Sequence, residues 1–156
     1  MVTTLRDEGE AQQGTDERIA DAASRLRLVI ARTARRMRQE AGTFLSPTLT
    51  AALATVERLG PITPSELAEA ERVKRPTATR IVAALERDGL ILRAPDPDDG
   101  RACLLTISPT GRKLIRRMRG RKNAYLSRNL RGLERADLEA LERAAEVLER
   151  MLEGER

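Results

Sequence analysis

Two short runs hold the side chains best suited to recognition chemistry. Arg75-Pro76-Thr77-Ala78-Thr79-Arg80 sets two guanidiniums and two hydroxyls within about one and a half helical turns. Asp99-Gly100-Arg101 places a carboxylate two residues from a guanidinium, in a segment rich in turn formers. Neither run suits covalent catalysis. The chain has no His and a single Cys, Cys103. Ser-His and Cys-His nucleophile pairs, imidazole metal ligands and a zinc site within one chain are therefore excluded. No glycine-rich phosphate loop and no isolated pair of carboxylates stands out, so the expectation is a protein that is not an enzyme, with no cofactor and no metal. Arg can bond bidentately to guanine, Thr to a base edge or phosphate, and Pro and Thr methyls can touch thymine. A helix N-terminus favours a nearby phosphate. An Arg held extended by a carboxylate suits the narrow, negative minor groove. Taken alone, the first run is equally a capped, solvated helix face and the second a surface salt bridge worth little.

The placement of charge weighs toward recognition. Of 29 basic residues 26 are Arg, and the net charge is +5. From Arg72 to Arg93 six basic residues stand against Glu86 and Asp88; from Arg112 to Arg131 there are nine and no acid; from Leu133 onward eight acids stand against four Arg. A basic middle between acidic ends is what a phosphate-contacting surface needs. At 156 residues, 40% hydrophobic and 34% charged, the chain is long enough for one modest core. Phe44 and Tyr125 are its aromatics, which leaves Leu, Ala, Ile, Val and Met to fill that core and favours packed helices. Its longest uncharged stretch, Ala41 to Val56, carries Gly, Pro, Ser and Thr and cannot span a bilayer. Asp7, Glu8 and Glu10 give the start the wrong polarity for a signal peptide. A lone Cys fits a reducing cytoplasm.

These side chains need elements to present them. Residues 1–14 lack periodicity and are expected to be a disordered tail. From Thr15 a stripe of Ile19, Ala22, Leu26, Ile30, Thr33 and Met37 predicts a helix to Ala41, stopped by Gly42. Ser46-Pro47 caps a second helix with Leu49, Leu53, Val56 and Leu59 inward, ended by Gly60-Pro61. Thr63-Pro64-Ser65-Glu66 is a capping box opening a short helix with Leu67, Ala68 and Ala70 inward. Another helix starts at Arg75-Pro76, buries Ala78, Ile81, Val82 and Leu85, and ends at Gly89, where a left-handed residue belongs. A short helix, tight turn and second amphipathic helix form the helix-turn-helix pattern.

After Gly89 the period changes. Leu90–Arg93 and Cys103–Ile107 read as two strands of a hairpin with a long tip, and Ser108-Pro109 caps an Arg-rich helix. In the last helix, from about Arg135, Leu138, Leu141, Ala145, Leu148 and Leu152 follow a 3-4-3-4 spacing suited to helix pairing. The terminal seams, with Ile19, Leu26 and Ile30 on the first and Leu138 to Leu152 on the last, would leave apolar surface exposed unless a second copy covers them. A twofold homodimer is expected.

Val73-Lys74-Arg75-Pro76-Thr77-Ala78-Thr79-Arg80 and Leu85-Glu86-Arg87-Asp88-Gly89-Leu90 resemble the recognition helix of MarR-type (multiple antibiotic resistance) regulators. Asp96-Pro97-Asp98-Asp99-Gly100-Arg101-Ala102 and Leu105-Thr106-Ile107-Ser108-Pro109-Thr110-Gly111 resemble that family's wing and the junction after it. The resemblance spans about residues 16–153. It implies a mainly α winged helix-turn-helix in the order helix, helix, strand, helix, helix, strand, strand, helix, helix. On that pattern, 15–153 is one domain, with the winged helix-turn-helix at 46–108 and dimerisation helices at 15–41 and 109–153. The resemblance also implies that Pro76, Thr77, Thr79 and Arg80 meet bases or nearby phosphates in the major groove, and that Arg101, oriented by Asp99, enters the minor groove. Arg75, on the same outward face, is a further candidate contact, and the twofold symmetry of a dimer leads to the expectation of double-stranded DNA with an inverted-repeat operator. The implied function is a homodimeric, sequence-specific regulator, a repressor released by a small-molecule effector. An architectural protein coating DNA with little sequence preference is the alternative, supported by the basic run at 112–131. Gly100 stands where many relatives carry Arg. The family's oxidant-sensing Cys near the first helix is absent, so Cys103 reads as a packing residue rather than a redox switch.

Overall fold

A computed structural model describes residues 3–97 and 102–154. The chain divides into two compact units, Met1–Glu40 and Ala41–Arg156, where the sequence led us to expect one domain over 15–153. The first unit is the body of helix α1, Thr3–Ala41. It begins well before Thr15, so the expected disordered tail over 1–14 is not found in the described residues: Gly9 and Gly14 each cost a helix about 1 kcal/mol, but the Arg, Glu, Ala and Gln around them are good helix formers and carry it through. The predicted stripe along α1 is exposed, with Ile19, Leu26 and Ile30 at 61%, 46% and 49%.

The second unit is built as the start signals dictate. Ser46 Oγ caps α2, Pro47–Leu59, by accepting from Leu49 N at 3.3 Å. Thr63 and Glu66 close a complete capping box on α3, Pro64–Ala70. Next come α4, Arg75–Arg87, strand β1, Ile91–Pro95, strand β2, Cys103–Ile107, then α5, Pro109–Leu130, and α6, Arg135–Glu153. The strands are antiparallel, with Ile91 opposite Ile107 and Pro95 opposite Cys103.

Leu53, Val56, Leu67, Val82, Leu85, Leu90, Ile91 and Leu105 form the fully buried centre, an aliphatic core packed between the helix-turn-helix and the hairpin base. Leu59 and Ala70 depart from expectation. Leu59 remains 45% exposed at the last turn of α2. Ala70 is exposed because it lies two positions past the buried Ala68, on the opposite side of the helix. The strand implied between the second and third helices is a single bridge, with Ile62 and Leu105 exchanging hydrogen bonds of 3.2 and 2.7 Å. Pro61 and Pro64 flank it and lack the N–H a longer ladder needs. No described residue of α6 is buried.

Candidate nucleic-acid interface

The turn between α3 and α4 is set by backbone geometry. Arg72 takes a left-handed φ of 52°, which costs a non-glycine residue about 1 kcal/mol. In return Val73 N reaches Ala68 O at 2.9 Å and Arg72 N reaches Glu69 O at 3.0 Å, so α3 stops at once and Val73 packs against the core. Thr55 Oγ1, buried on α2, donates to Glu71 Oε1 at 2.6 Å and ties the turn to the scaffold. The approach angle of α4 is thus fixed by side chains outside the recognition surface.

Helix α4 opens without a side-chain cap at Lys74, which leaves the positive end of the helix dipole facing outward. Ala78, Ile81, Val82 and Leu85 are buried, while Arg75, Pro76, Thr77, Thr79 and Arg80 are all exposed, as the spacing predicted. Thr79 Oγ1 donates to Arg75 O at 3.0 Å, so its hydroxyl proton is spent within the helix, and its methyl and oxygen lone pairs remain for a partner. Both acids of this stretch are engaged by Arg: Glu86 with Arg93 at 3.4 Å and Asp88 with Arg87 at 3.3 Å. Among the described residues Arg75 and Arg80 carry no ion pair. The sequence reading missed Ala83 and Arg87, which are exposed on the same face. Continuing the four-residue step from Thr79 through Ala83 to Arg87 would have found them.

The hairpin projects from a tightly tied corner. Ser108 Oγ donates to Gly89 O at 2.6 Å and accepts from Gly111 N at 3.0 Å, and Ser108 N bonds Leu90 O at 3.0 Å. Gly89, at φ 66°, takes the expected left-handed conformation. A Cβ on Gly111 would lie 2.1 Å from Leu90 O, so only glycine lets α5 start this close to the hairpin. Asp96 N still bonds Ala102 O at 3.1 Å beyond the strands. Asp99 and Arg101, at the tip, lie outside the described residues, and Cys103 is half-buried on β2.

Helix α5 divides its basic residues by role. Arg119 pairs with Glu57 of α2 at 2.5 Å, and Arg121 donates to the carbonyls of Ala41 and Gly42 at 3.3 and 3.4 Å. Arg112, Lys113, Arg116 and Arg117 stay exposed without ion pairs among the described residues. Elsewhere, backbone and side-chain hydrogen bonds from Thr63 hold the Glu66 carboxyl below its ordinary value. No helix among the described residues is long and apolar enough to cross a membrane.

This arrangement has close counterparts. The MarR family profile matches residues 45–103, from the loop before α2 into β2. An HTH-type transcriptional regulator of Mycobacterium bovis, Mb0904, is 35% identical over 130 residues, covering 83% of this chain and 91% of that protein. The crystal structure of a transcriptional regulator from Pseudomonas aeruginosa superposes with a TM-score of 0.79 at 30% identity, over 86% of this chain and 96% of the other. Streptococcus pneumoniae FabT, crystallised in complex with DNA, shares the fold at a TM-score of 0.67 and 19% identity, over 90% and 99% of the two chains.

Proposed function

This chain belongs to the MarR family of transcriptional regulators, and on that premise we propose that it acts as a homodimer binding an inverted-repeat operator in double-stranded DNA. The observation that carries the reading is the first turn and a half of α4, where every inward position is apolar and every outward one can meet a base edge or a phosphate. Arg75, Pro76, Thr77, Thr79 and Arg80 are assigned to the major groove. Asp99 and Arg101 are assigned to the minor groove on the strength of the wing sequence. The seams of α1 and α6, with Ile19, Leu26, Ile30, Leu138, Leu141, Ala145 and Leu152 exposed and Leu148 half-buried, join the two copies. Unpaired, they would leave an apolar area that single soluble chains rarely show. Family membership further supports a repressor that a small-molecule effector releases, acting in the cytoplasm without catalysis.

Footprinting on promoter DNA beside the gene tests this. The expected result is protection of an inverted repeat whose half-site centres lie about 34 Å apart, with a dimer in analytical ultracentrifugation. Uniform coating without a preferred site would favour the architectural reading, and a protected single half-site with a monomer in solution would remove the dimer.

A further inference from the structure

Thr55 and Ser108 are the buried polar side chains among the described residues. Each donates its hydroxyl to an oxygen on another element, and those two oxygens bracket α4 in the sequence. Ser108 Oγ, just before α5, reaches Gly89 O beyond the C-terminal end of α4 at 2.6 Å. Thr55 Oγ1, on α2, reaches Glu71 Oε1 ahead of the N-terminal end of α4, also at 2.6 Å. The body of α4 is held in a different way. Ala78, Ile81, Val82 and Leu85 are buried, and apolar contact is non-directional. It sets which face turns inward more firmly than it sets register along the helix axis. Hydrogen bonds weaken steeply away from their preferred line, so the two hydroxyls are suited to fixing where each end of α4 lies.

The N-terminal end needs such a tie more than the other. Arg72, at φ 52°, holds a left-handed conformation that strains a residue with a Cβ, and strain of this kind persists only where the surroundings over-determine it. The backbone bonds of the turn, from Val73 N to Ala68 O and from Arg72 N to Glu69 O, are local. They shape the turn without anchoring it to the scaffold. Among the described residues 71–74, the bond of Glu71 to Thr55 is the hydrogen bond that leaves the α3–α4 pair. Its acceptor is a half-buried carboxylate, and bonds to carboxylates are shorter and stronger than neutral ones. Reading bases demands that side chains be held within about 0.5 Å of the productive geometry. The general attraction of Arg and Lys for a polyanion acts at longer range and tolerates larger displacements.

We propose that Thr55 and Glu71 are positioning residues for base reading, their bond setting how far the protein tells its operator from other DNA. Thr55 is buried on α2 and acts through the turn, not by touching DNA. The pair governs selectivity, and the exposed cations of α4 govern attraction. The inference rests on the operator-binding reading and adds to it the residues that place α4 for that task. Ser108 holds the other end of α4 but also caps α5 through Gly111 N, so Thr55 and Glu71 are the pair that can be changed without opening a helix.

The test compares, for the full chain, affinity for the footprinted promoter duplex with affinity for a random-sequence duplex of equal length. Thr55→Val keeps the branched shape and the net charge and removes the hydroxyl. It should lower operator affinity about tenfold or more, the scale of one hydrogen bond to a charged group, and leave random-duplex affinity within about twofold. Thr55→Ser keeps the hydroxyl and should restore the parental ratio. Glu71→Ala removes an acid, which raises both affinities together. Its ratio should still fall as that of Thr55→Val does, and the double change should fall no further. In the free protein, the amide NMR shifts of Thr77 to Arg80 should move in Thr55→Val and return in Thr55→Ser. Parental discrimination in a folded Thr55→Val overturns the proposal and leaves the operator-binding reading standing. Equal losses on both duplexes also overturn it, because the pair would then serve stability alone. Thr55→Ser behaving like Thr55→Val would trace the effect to side-chain volume and overturn it too. A parent that binds both duplexes alike removes the operator-binding reading, and this proposal with it. Should Thr55→Val fail to fold, Glu71→Ala and Glu71→Gln, which keeps an acceptor, take the places of the two Thr55 variants in the same comparison.

Discussion

Arg80 is an exposed side chain on α4 whose charge has no ion pair among the described residues. A guanidinium in that state is ready for two parallel hydrogen bonds, and planar recognition of this kind cannot be supplied by lysine. Arg80→Ala should weaken operator binding by about 1–3 kcal/mol and relax base preference at one position in each half-site. Competition between operator variants, read by fluorescence anisotropy, checks both effects; equal losses on operator and random DNA would count for the architectural reading. Asp99 and Arg101 make a sharper prediction because charge alone gives the opposite sign. Removing an acid near DNA should help binding to a polyanion. If Asp99 orients Arg101, Asp99→Ala instead weakens it, and the two alanine changes are non-additive in a double-mutant cycle. Tighter binding by Asp99→Ala would reduce the pair to a surface salt bridge.

Among the elements, the junction of β2 with α5 governs how α4 and the hairpin are held together. Gly111 is the point of closest approach, and a methyl group there meets the backbone oxygen of Leu90 rather than a side chain able to swing away. Gly111→Ala should therefore cost about 1–3 kcal/mol of stability, read as a lower midpoint in urea, and should weaken DNA binding through displacement of the hairpin. At the start of α3, the capping box adds a pH dependence. Folding lowers the Glu66 pKa through its bonds to Thr63, so the box contributes in full at neutral pH, and the contribution fades as pH falls below 4.5 through the lower folded-state value. An NMR titration should place the Glu66 midpoint below 4.5 in the parent and move it upward in Thr63→Ala. An unmoved midpoint would deny Thr63 that role.

For the molecule as a whole, the separation of core from seam makes stability and assembly independent. The core of the second unit is filled by α2 to α5 and the hairpin, and no described residue of α6 is buried in it. Leu141→Asp should then leave the thermal midpoint of the second unit nearly unchanged while weakening the dimer by about 2–3 kcal/mol per Leu from lost burial alone. Operator affinity should fall with it, because two half-sites are held by one dimer. Calorimetry beside ultracentrifugation separates the two effects, and a large fall in thermal midpoint would show that Leu141 belongs to the core of a single chain.

Local signals in the chain determined where the elements of the second unit begin and which face of each turns inward. Ser46-Pro47, Thr63-Pro64, Arg75-Pro76 and Ser108-Pro109 each open a helix where expected, because caps and first-turn prolines act over three or four residues. The outward set on α4 was legible for the same reason: helical periodicity alone separates Ala78, Ile81, Val82 and Leu85 from Arg75, Thr79 and Arg80. Tertiary structure decided what local signals do not encode. It joined Thr55 to Glu71 across sixteen residues, used Arg72 rather than glycine for a left-handed turn, and engaged Glu86 of α4 with Arg93 of β1. It also reduced an implied strand to the single pair Ile62 and Leu105. The bond of Thr55 to Glu71 and the bridge of Ile62 to Leu105 depend on partners distant in sequence, and the reach of α1 back to Thr3 on summed small propensities; neither leaves a mark at a single position.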